Sequence, residues 1–133
     1  MKITTQYKSD YEYTSVTEEG QSVKIDMKSE NKTDMSPVQL LLSALAGCAA
    51  VEVALMIQKK RRKLIDLRIE TEGTRRETNP KSFTKIHMTI ILVSPDATLE
   101  ELEKVTKLGI ESYCSVRSSL ISEVTYECKV ERP

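Results

Sequence analysis

One long apolar run, residues 38–57, constrains the fold of this sequence more than any other feature, and a basic cluster, residues 59–63, follows it closely. Its length and its charged flank fit a helix that spans a membrane. However, Gln39, Ser43 and Glu52 interrupt the run, and a carboxylate in the middle of a bilayer is costly. No second apolar run occurs and strand-like sequence follows, so we predict a buried central helix and no membrane partner.

The residues at the two ends of the run predict where this helix begins and ends. Ser36 can cap free backbone N–H groups, and Pro37 suits the first helical position because its missing N–H would have no partner there. The cations at the other end suit the negative end of the helix dipole. We therefore predict a helix from Pro37 to about Arg62.

Alternating and helical patterns predict the remaining elements. Period-two alternation predicts six strands: three within residues 1–29, then one each at 64–78, 84–92 and 124–130. An apolar repeat predicts a helix over 99–108, and Gly109 indicates a bend before a short further helix. The predicted order is β-β-β-α-β-β-α-α-β, an α+β fold with antiparallel sheets around a long central helix.

Length, charge and the first residues exclude several classes of protein. A chain of 133 residues predicts a single domain, residues 1–133. Twenty basic and twenty acidic residues cancel, which argues against a nucleic-acid partner. The N-terminal residues lack the apolar segment of a signal peptide, so we expect a cytoplasmic protein. In that reducing compartment a disulfide would be transient and catalytic.

Cys48 stands on the long helix among alanines and a glycine, which leave room around its sulfur. The alternative is a core cysteine that only fills space. Glu52 lies one helical turn further on the same face, and a carboxylate beside a thiol opposes its ionisation, so a cation is expected nearby. Arg75 is the leading candidate, because the alternation of its strand places it on the apolar face. The alternatives are a purely structural Arg75–Glu52 ion pair, or two side chains that simply reach solvent at the ends of their elements.

Cys114 is predicted near the start of the short helix after Gly109. The N–H groups and the dipole at a helix N-terminus stabilise a thiolate, and Arg117, one turn on, would add positive charge. A half-buried cysteine on an apolar stripe is the alternative. Cys128 is interpreted as a small filler on a strand and His87 as an outward-facing residue. The sequence has no G-x-S-x-G motif, no phosphate loop and no metal-binding spacing, so other nucleophile schemes and a metal site are not expected.

The segment SPVQLLLSALAGC, residues 36–48, resembles the central helix of the OsmC/Ohr proteins (osmotically induced protein C and organic hydroperoxide resistance protein). In that family a Ser-Pro or Asn-Pro pair opens the helix and a cysteine follows within it. A second cysteine comes much later at the start of another helix, as Cys114 does in YCSV, residues 113–116. Residues 75–77 and 82–86 resemble the OsmC-like branch whose biochemistry is less settled.

The resemblance covers nearly the whole chain and implies an intertwined homodimer with sites at the subunit boundary. It also implies thiol-dependent reduction of organic hydroperoxides in oxidative-stress defence. Cys48 would be the peroxidatic thiolate and Cys114 the resolving thiol. A dithiol reductant, in the family typically lipoyl-linked, would restore both thiols without a metal or an organic cofactor.

This sequence departs from the peroxidase branch at the residues that activate the thiol. That branch carries an arginine in its N-terminal region and a glutamate after the helix-opening proline, whereas here the first arginine is Arg61 and Val38 follows Pro37. Arg75 and Glu52 are the candidates to replace them. Two functions besides a thiol peroxidase therefore stay open: a binding protein for a small hydrophobic ligand, and a redox-sensing stress protein.

Overall fold

The computed structural model describes all residues, Met1–Pro133, and groups them into two compact units, Met1–Leu41 and Leu42–Pro133. The first unit contains three strands: β1 (Ile3–Ser9), β2 (Glu12–Thr17) and β3 (Ser22–Asp26). The helix α1 (Pro37–Lys59) begins in this unit and continues into the second. The second unit then contains β4 (Asp66–Arg75), β5 (Phe83–Val93), α2 (Leu99–Leu108), a π-helical turn (Gly109–Tyr113, called the π turn below), α3 (Ser115–Ser118) and β6 (Glu123–Glu131). The predicted order of elements and the α+β class are confirmed.

The first unit is an antiparallel sheet, β1-β2-β3, whose connection to α1 is organised by the buried carboxylate of Asp26. The backbone N–H groups of Thr33 and Lys28 donate to it at 3.0 and 2.9 Å, and the Lys28 ammonium lies 3.6 Å away. The Thr33 hydrogen bond, followed by the contacts with Lys28, holds the pKa of Asp26 below its ordinary value against the opposing effect of burial. The loop before α1 is thus held by a charged group.

Ser36 caps α1, as predicted. The Ser36 N–H donates to Gln39 Oε1 at 3.0 Å, and the Gln39 N–H donates to Ser36 Oγ at 3.4 Å, the reciprocal pair of a capping box. At the other end α1 stops at Lys59 rather than at Arg62. Arg61 has φ 60°, and the N–H of Arg62 donates to the Ile57 carbonyl at 3.2 Å, so a left-handed residue closes the helix.

The second unit has the sheet order β4-β5-β6, with β4 antiparallel and β6 parallel to β5. The parallel pair differs from the antiparallel sheets that the sequence predicted. Parallel neighbours need a long crossover, and α2, the π turn and α3 supply it between β5 and β6. The core residues come mainly from one stripe of α1 and from β5.

The two faces of α1 differ in burial but not in polarity. Residues at helical spacing on one face are fully buried: Leu45, Ala49, Val53 and Ile57. The opposite face is exposed yet still apolar, with Val51 58% and Leu55 48% exposed. By length and composition alone α1 could cross a membrane, a criterion that the core helices of soluble proteins also meet.

Candidate functional site: two thiols between the long helix and the π turn

Cys48 and Cys114 lie together in the second unit. Both are free thiols; Cys48 is partly buried on α1, and Cys114 is only 3% exposed after the π turn. Cys48 lies near enough to Cys114 to raise the pKa of its thiol. Two thiols that are far apart in the sequence are therefore neighbours in the folded chain.

Cys114 is the N-cap of α3, where the sequence placed it. Its backbone is extended, with φ −75° and ψ 100°, and its sulfur accepts a hydrogen bond from the Arg117 N–H at 3.4 Å. A thiolate would gain from this N–H, because the donor points at the developing charge.

The environment of Cys114 nevertheless favours the protonated thiol. Burial is the largest effect and raises the pKa of Cys114, the Arg117 N–H lowers it, and the neighbouring Cys48 raises it again. A buried thiol that keeps its proton can donate it in a hydrogen bond to a neighbouring thiolate. Within the pair, Cys114 is therefore a thiol that keeps its proton.

The π turn holds Cys114 through contacts on both sides. On one side Gly109 packs on α1, where an added Cβ would lie 3.1 Å from the Cβ of Glu52. On the other side the Tyr126 hydroxyl of β6 donates to Glu111 at 2.8 Å. Burial, followed by this carboxylate, raises the pKa of Tyr126 to about 12, so the hydroxyl keeps the proton that it donates.

The proposed Arg75–Glu52 pair does not form within this chain. Arg75 is exposed and its Nε donates to the Lys81 carbonyl at 2.7 Å, while Glu52 is partly buried and makes no hydrogen bond or ion pair. The alternation that pointed Arg75 inward ends at a register shift between Thr74 and Arg75. The prediction extended a strand periodicity past the point where the strand is regular.

The side chains of the other candidate residues make no hydrogen bond to Cys48 or Cys114. Arg117 acts on Cys114 through its backbone N–H, and its guanidinium makes no hydrogen bond or ion pair. The Cys128 thiol donates to Thr106 Oγ1 at 3.4 Å, and His87 contacts Thr125 at 2.7 Å on β6. The contact of Gly109 with α1 was not foreseen, although the sequence did single out this glycine as a break.

Comparison with known proteins gives one family and a consistent fold. Residues 29–129 match the family model described as OsmC-like protein. Protein YhfA of Escherichia coli (strain K12) is 32% identical over 97 residues, which cover 73% of this chain and 72% of that protein.

Solved structures resemble this chain over nearly its full length. A hypothetical protein from Aquifex aeolicus VF5 is 29% identical with a TM-score of 0.79, covering 98% of this chain and 96% of that one. The organic hydroperoxide resistance protein OhrB of Bacillus subtilis has a TM-score of 0.63 at 15% identity and covers 98% of each chain. At that identity the likeness to OhrB shows the fold alone.

Proposed function

Because this chain belongs to the OsmC-like protein family, whose members suggest a stress or redox role, we propose that it reduces organic hydroperoxides with two cysteines. Cys48 is the peroxidatic residue and Cys114 the resolving residue. The observation that carries the proposal is that these two free thiols, which lie on different elements, are neighbours in the folded chain, so that Cys48 raises the pKa of Cys114.

The proposed reaction has two steps at sulfur. The Cys48 thiolate attacks the O–O bond, so that an S–O bond forms, the O–O bond breaks, and the leaving alkoxide takes up a proton to become an alcohol. The Cys114 sulfur then attacks the Cys48 sulfenic acid, so that an S–S bond forms and hydroxide leaves as water with the Cys114 proton. An external dithiol returns two electrons and restores both thiols.

The order of the two cysteines follows from their surroundings. Cys48 is partly exposed, whereas Cys114 is almost fully buried and burial raises its pKa. A hydroperoxide therefore reaches Cys48 first. Cys114 stays protonated until a sulfenic acid forms beside it.

A redox-sensing or ligand-binding role is the second candidate, and one observation favours it. Neither Arg75 nor the guanidinium of Arg117 pairs with Glu52 in this chain. Without a cation, a thiolate in an apolar helix reacts more slowly. Slow oxidation suits a sensor, and the apolar surroundings of Cys48 suit a small hydrophobic ligand.

We also propose a cytoplasmic homodimer in which residues 1–133 act as one domain. The exposed apolar face of α1 supports the dimer, because large unpartnered apolar surfaces mark protein contacts. Similar structures span both units of this chain, which supports the single domain.

Oxidation of the reduced protein with stoichiometric cumene hydroperoxide tests the peroxidase proposal. Mass spectrometry should find a Cys48–Cys114 disulfide and one equivalent of the alcohol. Cys48→Ser should abolish alcohol formation, Cys114→Ser should leave a sulfenic acid that dimedone traps, and the matched control Cys128→Ser should behave as wild type. Unmodified thiols at Cys48 and Cys114 would reject the peroxidase and favour the ligand-binding role, which predicts unchanged ligand affinity in Cys48→Ala.

A further inference from the structure

Gly109 occupies a position where neither backbone conformation nor helix propensity calls for glycine. It has ordinary right-handed helical angles, φ −60° and ψ −46°, which any residue adopts. Its backbone N–H continues the helical hydrogen bonds to Val105 and Thr106. In such a setting glycine is less favourable than alanine by about 1 kcal/mol.

Space against α1 accounts for the glycine. A Cβ on Gly109 would lie 3.1 Å from the Cβ of Glu52 and 3.5 Å from the Cε of Met56. Non-bonded carbons prefer separations of about 3.5–4.0 Å. The Met56 methyl group can rotate away, but the Glu52 Cβ is attached directly to the backbone of α1 and cannot. The missing side chain therefore lets the π turn lie directly on the long helix.

The contact between Gly109 and α1 lies where it can set the distance between the sulfurs of Cys48 and Cys114. Glu52 lies one helical turn from Cys48 on the same face of α1. Cys114 follows the π turn directly, so the segment that touches α1 at Gly109 also carries the thiol whose pKa Cys48 raises. A disulfide accepts only a narrow Cβ–Cβ range, about 3.5–4.5 Å, so a displacement of a few tenths of an ångström matters.

We propose that Gly109 is a positioning residue that holds the π turn close enough to α1 for Cys114 to bond to Cys48. In turnover this role rests on the proposed peroxidase function, as the second, resolving step. The pairing of the two thiols as a disulfide can be measured without any hydroperoxide.

Equilibration with oxidised and reduced dithiothreitol tests the positioning role. The protein dithiol transfers two electrons and two protons to the cyclic disulfide, which leaves a Cys48–Cys114 disulfide and the reduced reagent. Gly109→Ala should lower the equilibrium constant for the protein disulfide about tenfold or more. Ser112→Ala, at an exposed residue of the same π turn, is the matched control and should stay within about twofold of wild type.

A rescue experiment separates positioning from general damage. Glu52→Gly removes the Cβ that a side chain at position 109 would meet, so in that background Gly109→Ala should change the constant less than about threefold. If each substitution only destabilised the fold in general, the double variant would instead lose as much of the equilibrium constant as the two single variants together. If Gly109→Ala alone does not fold, Glu52→Val crowds the same contact from α1 and should lower the constant as well.

The reaction with hydroperoxide adds a second readout. Gly109→Ala should form the Cys48 sulfenic acid at the wild-type rate but close the disulfide about tenfold more slowly, so that the dimedone adduct accumulates. Wild-type equilibrium constants in both Gly109→Ala and Glu52→Val would overturn the positioning role. A wild-type protein that is inert to hydroperoxide would overturn the proposed function, while a loss in the dithiothreitol measurement would still support the role of Gly109.

Discussion

At the scale of single residues, Cys114 is a thiol on which opposing effects act. Burial and the neighbouring Cys48 raise its pKa, the Arg117 N–H lowers it, and the net shift is upward. The folded protein therefore binds this proton more tightly than the unfolded chain does. Linkage makes that difference a contribution to stability.

We predict that the reduced protein loses stability in alkali because of Cys114. The contribution is fully present below the ordinary thiol value of 9.0 and is lost as the pH rises through the higher pKa of the folded state. Urea unfolding at a series of pH values, from neutral into the alkaline range, should show that the free energy of unfolding falls more steeply for wild type than for Cys114→Ser. The pKa values of Tyr126 and Cys128 are also raised, but both groups titrate in both proteins and cancel in the comparison. Parallel pH profiles would contradict the prediction.

At the scale of elements, β4 comes very close to its neighbours where Gly73 passes Phe83. A Cβ on Gly73 would lie 2.6 Å from Cδ1 of the Phe83 ring and 3.2 Å from Cδ2 of Leu42 on α1. Phe83 is buried at the start of β5. The missing side chain lets this ring cover the partly buried face of β4.

Gly73→Ala should therefore destabilise the protein by about 1–3 kcal/mol, because the buried ring must move or β4 must separate from β5. Urea denaturation of the reduced protein measures the loss. Glu72→Ala, at an exposed neighbour on the opposite face, should change stability by less than about 0.5 kcal/mol. Equal stability of Gly73→Ala and wild type would show that the ring adapts without strain.

Local patterns were sufficient for most elements and failed at identifiable points. The cap at Ser36 and the helix start after Cys114 depend on residues next to each other in the chain, so the sequence was enough to place them. The helical path continues through Gly109, and the break comes at Cys114. Arg75 was misplaced because the register shift after Thr74 depends on how β4 pairs with β5. The parallel direction of β6 was missed because it depends on the path of the whole crossover.

At the scale of the whole molecule, the exposed face of α1 is the feature that the single chain leaves unexplained. Val51 and Leu55 stand on it at helical spacing, 58% and 48% exposed. Such a face in the longest helix is unfavourable in water, and burial of apolar surface contributes roughly 25 cal/mol per Å². A second copy of the chain, as in the proposed homodimer, would bury it.

We predict that the reduced protein sediments as a dimer and that the double substitution Val51→Glu and Leu55→Glu shifts it towards the monomer, because buried carboxylates without partners are costly. Analytical ultracentrifugation over a range of concentrations measures the shift. Ile65→Glu is the matched control, since Ile65 is equally apolar and 47% exposed but lies outside α1. A monomeric wild type, or equal dissociation in the control, would argue against the α1 interface.

The sequence by itself determined the order of the elements, the cap of α1 and the position of Cys114 at a helix start, because periodicity, capping and helix breaks act between near neighbours. Only the tertiary structure decided that Cys48 is near enough to Cys114 to raise its pKa, that Arg75 does not reach Glu52, and that Gly109 lies against α1. These are contacts between distant segments, and their distances depend on how α1, the sheet and the π turn pack together rather than on any local pattern.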